Sequence, residues 1–236
     1  MTGRSDLPPA PREAVQRWRL VLSRAAIEPD QQRGQVRAWE AALIASSLPV
    51  AGLDLVPPKP RFAVAAPLGA AVPGEAELFD LWLTERVPRW RVREALEGHL
   101  PDGFRLGQLF DVWPGEPPLP GQVVASVYRA AVAGEAAAVR VAAAAVLAAA
   151  SLPRVRRKGD ASVGYDLRPF LDGLEVEVPA SGEGAVIRVR LRHDPEKGVG
   201  RPEEVLAELG ERLGRPIEVR SLVRERLVLS SDRGPA

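Results

Sequence analysis

Residues 57–84 constrain the fold more than any other stretch, because they predict a β-hairpin with a well-defined apolar face. Apolar side chains alternate over residues 61–66 and again over residues 79–84, as the two-residue period of a strand requires. Two prolines and two glycines lie between them, at residues 67–74, and predict the turn. The rest of the chain is best interpreted from this hairpin outwards.

A strand and a helix precede the hairpin, and a helix and a strand follow it. The first strand is predicted at residues 18–23, and the helical spacing of apolar side chains predicts a helix at residues 31–46. After the hairpin, Pro88 suits the first turn of a helix, and residues 104–112 are predicted as a strand. The order is therefore β-α-β-β-α-β, and the proline- and glycine-rich residues 114–121 predict a linker after it.

A similar order of elements follows the linker. The predicted strands lie at residues 123–132, 174–178, 185–192 and 217–229, and the predicted helices lie at residues 135–150 and from Pro202 onwards. The fold class is therefore predicted as α+β, with two tandem ferredoxin-like (β-α-β-β-α-β) units at residues 14–113 and 122–230. Residues 1–13 are predicted as a disordered N-terminal tail, and residues 231–236 as a C-terminal tail.

Composition excludes several classes of function. The sequence has no cysteine, so it can form no disulfide, thiolate nucleophile, or cysteine-bound zinc or iron–sulfur centre. Only two histidines are present, and neither has a neighbour in sequence that suggests a catalytic pair. We therefore predict no catalytic residue, no metal site and no cofactor. The 32 basic and 31 acidic residues nearly cancel, so nucleic-acid binding would have to come from a local cluster.

Two segments bear on the location of the protein. The alanine-rich residues 136–150 are too few to span a membrane, which takes about twenty largely uncharged residues. Residues 1–12 lack the apolar core of a signal peptide. A soluble, cytoplasmic protein without membrane contact is expected.

Short segments in both halves occur in a characteristic order. They are Trp39-Glu40-Ala41-Ala42-Leu43, Pro58-Lys59-Pro60-Arg61-Phe62, Pro67-Leu68-Gly69, Glu75-Ala76-Glu77 followed by Asp80, Ser151-Leu152-Pro153, Arg156-Arg157-Lys158-Gly159 and Tyr165-Asp166-Leu167-Arg168-Pro169. In this order and spacing, over roughly residues 18–229, the chain resembles the radical SAM-linked protein family. Members are domains of unknown function encoded beside, or fused behind, cobalamin-binding radical SAM proteins.

The chain departs from the pattern of that family at two places. Relatives usually carry a Ser-His-x-Asp segment at the start of the first helix, where residues 27–30 here read Ile-Glu-Pro-Asp. They also carry Gly-Phe-Asn-Pro-His-Pro before the hairpin, where residues 55–60 read Leu-Val-Pro-Pro-Lys-Pro. Any role that these histidines have in relatives is therefore changed or lost in this divergent member.

The resemblance implies an accessory role rather than the radical reaction itself. A radical SAM enzyme needs a cysteine-bound cluster, which this chain cannot supply. We expect a non-catalytic accessory protein that binds or presents RNA and has a radical SAM protein as its partner, because fused ferredoxin-like units are common RNA-binding scaffolds. The RNA-binding role is therefore inferred by analogy with other proteins of the same fold. The alternatives are a metal-independent endoribonuclease resembling CRISPR repeat-processing proteins, and a protein-interaction scaffold without nucleic acid.

The densest basic cluster supplies most of the candidate RNA-binding residues. They are Arg154, Arg156, Arg157 and Lys158 on a predicted loop, Tyr165 and Arg168 beside it, and Lys59 and Arg61 at the hairpin. The cations would hold phosphates and the tyrosine would stack a base. The alternative is structural, because a loop needs solvating charge and Arg168 can form an ion pair with Asp166. Lys59 and Arg61 would join this surface only if the two units face each other.

Three other features favour structural roles. Trp82 could be a stacking platform, but such a tryptophan is more often covered by the neighbouring unit. The arginines at alternate positions of residues 188–192 can pair with the acids of the preceding strand, Glu175 and Glu177. His99 suits a helix C-terminus, and His193 follows the arginine strand at a turn.

Overall fold

The structure is a computed structural model that describes residues 12–158, 161–180 and 182–232, without the side chains of Arg157, Lys158 and Ala161. Its strands are β1 (Gln16–Arg24), β2 (Phe62–Val64), β3 (Gly74–Leu83), β4 (Phe104–Val112), β5 (Val123–Val132), β6 (Pro153–Lys158), β7 (Ala161–Asp166), β8 (Leu171–Glu177), β9 (Ala185–Asp194), β10 (Gly198–Val199) and β11 (Val219–Leu229). Its α-helices are α1 (Pro29–Ala45), α2 (Arg89–Glu97), α3 (Leu119–Gln122), α4 (Ala136–Ala148) and α5 (Pro202–Arg212), with 3-10 turns at Arg168–Phe170 and Ser230–Asp232.

Nine of these strands form one mixed sheet, which confirms the predicted α+β class. The order is β10-β9-β5-β11-β3-β1-β4, with β2 also paired to β3 and β8 to β9. The first half, before the linker, has the local order β4-β1-β3-β2, and the second half has β11-β5-β9-β8. Among the strands that the structure describes, every pairing inside a half is antiparallel, and only the pairing of β11 with β3 is parallel.

Prolines and capping or charged side chains set the ends of the longer helices. Pro29 opens α1, and the Gln31 side chain accepts a hydrogen bond of 2.9 Å from the Glu28 N–H. Pro202 opens α5, with acidic residues in its first turn and Arg212 in its last, as the helix dipole favours. Among the described residues, no helix combines the length and the apolar character that a membrane span requires.

The two halves meet at a seam, where β11 reaches β3. A single backbone bridge pairs Arg224 with Gly74, and the Arg224 N–H donates to the Pro73 carbonyl at 2.9 Å. The guanidinium of Arg224 then donates to both carboxylate oxygens of Glu77 and to the carbonyls of Ala66 and Pro67. These four hydrogen bonds are made to the first half, so this one residue joins the two halves through both its backbone and its side chain.

Apolar packing also crosses the seam. Leu68 and Val72, from the turn between β2 and β3, belong to the hydrophobic core of the second half. Ala66 packs with Leu119 of α3 and Leu227 of β11 in a smaller cluster. The first-half segment between β2 and β3 is therefore held by the second half, and its position depends on the seam.

The predicted linker at residues 114–121 contains regular structure. The short helix α3 begins inside it, and Leu119 is fully buried. The fully buried Arg17 side chain donates to the carbonyls of Glu116 and Pro117, at 2.8 and 3.1 Å, while also pairing with Asp80. The segment is fixed because a buried guanidinium needs several acceptors, and the linker carbonyls supply two of them.

The basic segment predicted as a loop is a β-hairpin formed by β6 and β7. Its Arg154 and Arg156 side chains point to acids on α5 and form ion pairs with Glu208 and Glu204. The prediction was wrong because β6 places arginines, rather than apolar side chains, on the face that meets α5. An apolar alternation is therefore missing from β6, and the charged sequence was interpreted as a solvated loop.

The contacts at the seam predict that replacing Arg224 lowers the stability of the protein substantially. Arg224→Met should lower the free energy of unfolding by about 3–5 kcal/mol, because it leaves the buried Glu77 carboxylate without its cation. Arg226→Met, on an exposed side chain of the same strand, is the control and should cost less than about 0.5 kcal/mol. Chemical denaturation followed by circular dichroism measures both, and equal losses in the two variants would contradict the role of the seam.

Candidate ligand-binding cleft

A cleft of about 800 Å³ opens at the seam, and we call it the seam cleft. The first half contributes Gln32 of α1 and the segment of residues 65–69 before β3. The second half contributes Tyr128 of β5, His193 of β9 and Arg224 of β11. The remaining lining residues are Val72, Pro120, Arg156, Val199, Gly200, Arg201, Pro202, Glu203 and Glu204. Both halves are needed to form this cavity.

Arg224 gives the seam cleft a fixed positive charge. Burial alone would lower its pKa, but its hydrogen bond to Glu77 and the negative charge of that carboxylate raise it above the ordinary value. The side chain is 1% exposed, and its carboxylate and carbonyl partners hold it in one orientation. Gln32 completes this wall by donating to the Leu68 carbonyl at 2.9 Å.

His193 and Ser126 form a pair that sequence reasoning missed. The His193 Nε2 and the Ser126 Oγ lie 2.8 Å apart, and Ser126 is fully buried. Burial, assisted by the charge of Arg224, lowers the pKa of His193 to about 4, so its ring is neutral at pH 7. The available signal was strand alternation, which places Ser126 in line with Tyr128 and His193 in line with Leu191, on the core-facing side of β5 and β9.

A second polar group lies between the seam cleft and the β6–β7 hairpin. Arg156 donates to both carboxylate oxygens of Glu204, at 3.1 and 2.9 Å, and lies 4.0 Å from the centre of the Tyr165 ring. The Tyr165 hydroxyl also donates to Glu204. Burial would raise the pKa of Glu204, but these two donors outweigh it and lower the pKa. Burial and the same hydrogen bond raise the pKa of Tyr165.

The other predicted hairpin residues also have partners inside the protein. Arg154 pairs with Glu208 and with Glu211, the latter at 2.7 Å. Arg168 donates to three backbone carbonyls, those of Leu147, Ala149 and Leu171, at 3.0–3.1 Å. Asp166 accepts the backbone N–H groups of Leu152 and Arg168, whereas the Arg168 guanidinium donates to carbonyls and not to this carboxylate. The side chains of Arg157 and Lys158 lie outside the described residues.

Lys59 and Arg61 lie elsewhere. They line a different cavity on the first half, together with Arg12 and Gly52, and not the seam cleft. The Arg61 guanidinium lies 4.6 Å from the centre of the Trp82 ring. Trp82 is 6% exposed, so its ring is covered rather than offered to a base. The structure brings the hairpin residues together with α5 but does not bring Lys59 or Arg61 to them.

The fold and the site define a class of protein: an α+β protein with a cleft between its two halves that is large enough for a small ligand. The chain belongs to a family described as uncharacterized proteins conserved in bacteria (DUF2344), whose model matches residues 32–202. That range includes residues 65–69 and His193, whereas Glu204 and Arg224 lie beyond it. No curated protein matches the chain.

The lowered pKa of His193 predicts an acid-dependent loss of stability. Its pKa is about 4 in the fold and about 6.5 in the unfolded chain, so the unfolded chain binds more protons between these values. Stability from this group is therefore present at pH 7 and lost as the pH falls toward 4. His193→Gln keeps a polar partner for Ser126 but cannot titrate. It should lose less free energy of unfolding between pH 7 and pH 5 than the wild type, by on the order of 1–2 kcal/mol.

Urea unfolding at both pH values measures this difference. The exposed His99→Gln substitution is the matched control and should follow the wild type. Identical pH dependence in the wild type and His193→Gln would show that burial of His193 is not coupled to folding.

Proposed function

We propose that this protein is a non-catalytic accessory of a radical SAM system that holds a ligand in the seam cleft between two ferredoxin-like units. The orders β4-β1-β3-β2 and β11-β5-β9-β8 support the two units, because each places the fourth, first, third and second core strands of its half side by side. In the second half, the β6–β7 hairpin is an insertion before β8. The order of segments in the sequence supports the radical SAM partner.

The seam cleft is the observation that carries this proposal. Its volume of about 800 Å³ falls in the range of small-molecule sites, about 300–1,000 Å³. Tyr128, His193 and Arg224 reach it from three different strands, and burial fixes the neutral form of the histidine at pH 7. A site whose polar groups are already held in place loses little entropy on binding. A small polar molecule therefore suits the cleft best.

RNA is the less favoured ligand for this geometry. Arg154, Arg156 and Arg168 are already bound to carboxylates or carbonyls, so phosphates would have to displace those partners. RNA binding through the β6–β7 hairpin is a separate prediction, and the salt dependence of RNA affinity tests it.

A second candidate function is the metal-independent endoribonuclease, and His193 is the observation that favours it. A neutral imidazole beside Tyr128 and Arg224 can accept a proton, as a general base must. Incubation of a short RNA with the wild type and with His193→Gln, in the presence of a chelator, tests it. Cleavage that only the wild type performs would replace the non-catalytic proposal.

Recovery of the natural ligand tests the accessory proposal. A Gly69→Trp substitution should fill the seam cleft, because this glycine lines it and an added Cβ would meet only Val72, at 3.8 Å. Gly98→Trp is the control, since nothing lies within 4 Å of its added Cβ and it is distant from the cleft in sequence and fold. All three proteins are purified from the source organism and then denatured. We expect the wild type and Gly98→Trp to release a compound that Gly69→Trp does not release.

Mass spectrometry of the released material, before and after nuclease treatment, identifies its class. A compound equally abundant in all three proteins would contradict binding in the seam cleft. Nucleotides that appear only after nuclease treatment would identify RNA as the ligand. The same samples, cross-linked before purification, should contain a radical SAM protein, and its absence would contradict the partner.

The salt dependence of RNA binding tests the hairpin surface. Four phosphate contacts would give a slope of about −3 for log affinity against log salt, at roughly −0.7 per phosphate. Because three arginines have internal partners, we expect a slope shallower than −2 in fluorescence anisotropy with a short RNA. Arg157→Ala combined with Lys158→Ala should remove most of this salt dependence. Arg89→Ala combined with Arg91→Ala is the control and should leave the slope unchanged. A slope of −3 would show that RNA displaces the internal partners.

A further inference from the structure

Another cavity lies against the β6–β7 hairpin, and we call it the hairpin pocket. It has a volume of about 510 Å³ and lies between β7, the 3-10 turn at Arg168–Phe170 and the turn that joins β9 to β10. Its apolar walls are Val163, Tyr165, Pro169 and Phe170. Phe170 is fixed in the core, and its ring meets the Tyr165 ring edge-on at 6.0 Å.

Two cations, Lys197 and Arg201, also line this pocket. Neither side chain forms an ion pair or hydrogen bond with any residue that the structure describes, but each lies within electrostatic reach of a carboxylate that already accepts other hydrogen bonds, Asp194 for Lys197 and Glu204 for Arg201. The neighbouring Arg156, in contrast, is bound to Glu204. Asp166 also lines the pocket, but its carboxylate accepts the N–H groups of Leu152 and Arg168, at 2.7 and 2.9 Å. The pocket therefore combines apolar walls with two cationic side chains whose hydrogen-bond donors are open to a ligand.

We propose that the hairpin pocket is a binding site for a small apolar anion, an aromatic or branched aliphatic body with one carboxylate, sulfonate or phosphate group. The body replaces water against the four apolar side chains, and the anionic group pairs with Lys197 and Arg201. The volume admits a ligand of this size. The site is separate from the proposed cleft function, although Arg156 and Arg201 border both cavities.

A dye pair tests both parts of this chemistry on the full chain. The anionic probe is 8-anilinonaphthalene-1-sulfonate, and the neutral probe is N-phenyl-1-naphthylamine, which has a similar aromatic body without the charge. We expect the anionic dye to bind with a stoichiometry of one. Lys197→Ala combined with Arg201→Ala should weaken it about tenfold, or about 1.4 kcal/mol, because the two lost ion pairs are open to solvent and each contributes only modestly. The affinity of the same double variant for the neutral dye should change by less than about twofold.

The control removes two comparable cations elsewhere. Arg89→Ala combined with Arg91→Ala takes two exposed arginines from α2 and should leave both dyes unaffected. Wild-type affinity for the anionic dye in the Lys197 and Arg201 double variant would overturn the role of the charges. Equal weakening of both dyes would overturn it as well, because it would show a change in the pocket rather than a lost ion pair.

Two further variants locate the dye. Val163→Trp should abolish binding of both dyes, because this half-exposed side chain can be enlarged into the hairpin pocket without disturbing the core. Gly69→Trp should leave both dyes bound, since it fills only the seam cleft. Loss of the dyes in Gly69→Trp would place them in the seam cleft and overturn the separate site. A failure of the seam-cleft proposal leaves all of these dye results unchanged.

Discussion

The buried pair of Arg224 and Glu77 is the interaction on which the two-half structure depends. The backbone of Arg224 extends the sheet across the seam, and its side chain binds a carboxylate and two carbonyls of the first half. Burying two charges is costly, and such a pair often adds little net stability compared with apolar residues. Its effect is also geometric, because the guanidinium holds Glu77 and the carbonyls of Ala66 and Pro67 at fixed positions against β11. The segment of residues 65–69, and with it one wall of the seam cleft, is positioned by that arrangement.

Buried or half-buried arginines recur wherever two parts of the chain meet. Arg17 joins the first sheet strand to Asp80 and to the linker carbonyls. Arg24, with its pKa lowered mainly by burial, donates to the carbonyls between β2 and β3. Arg156 joins the β6–β7 hairpin to α5 through Glu204. A planar group with five donors suits these junctions, since loops present carbonyls and helices present carboxylates in different directions.

The same pairing governs the charge of the surface. Along β9, Arg188 pairs with Glu177 and Glu225, and Arg192 pairs with Asp172. A sheet face that looks basic in sequence is therefore electrically mixed, which agrees with the nearly balanced overall charge. Lys197 and Arg201 differ from these arginines, because their side chains form no ion pair or hydrogen bond with the described residues. Their position beside apolar walls is what gives the hairpin pocket a defined ligand chemistry.

The sequence by itself determined the four longer helices and most of the strands, because alternation and helical spacing act between near neighbours, whereas α3 and the β6–β7 hairpin were missed. The predicted strands at residues 104–112 and 123–132 match β4 and β5. Only the tertiary structure decided which distant groups meet. Strand pairing brings Ser126 to His193 across 67 residues, and Arg156 reaches Glu204 across 48. A local pattern shows that a residue is charged or faces a core, but a partner that far along the chain is selected by the packing of whole elements.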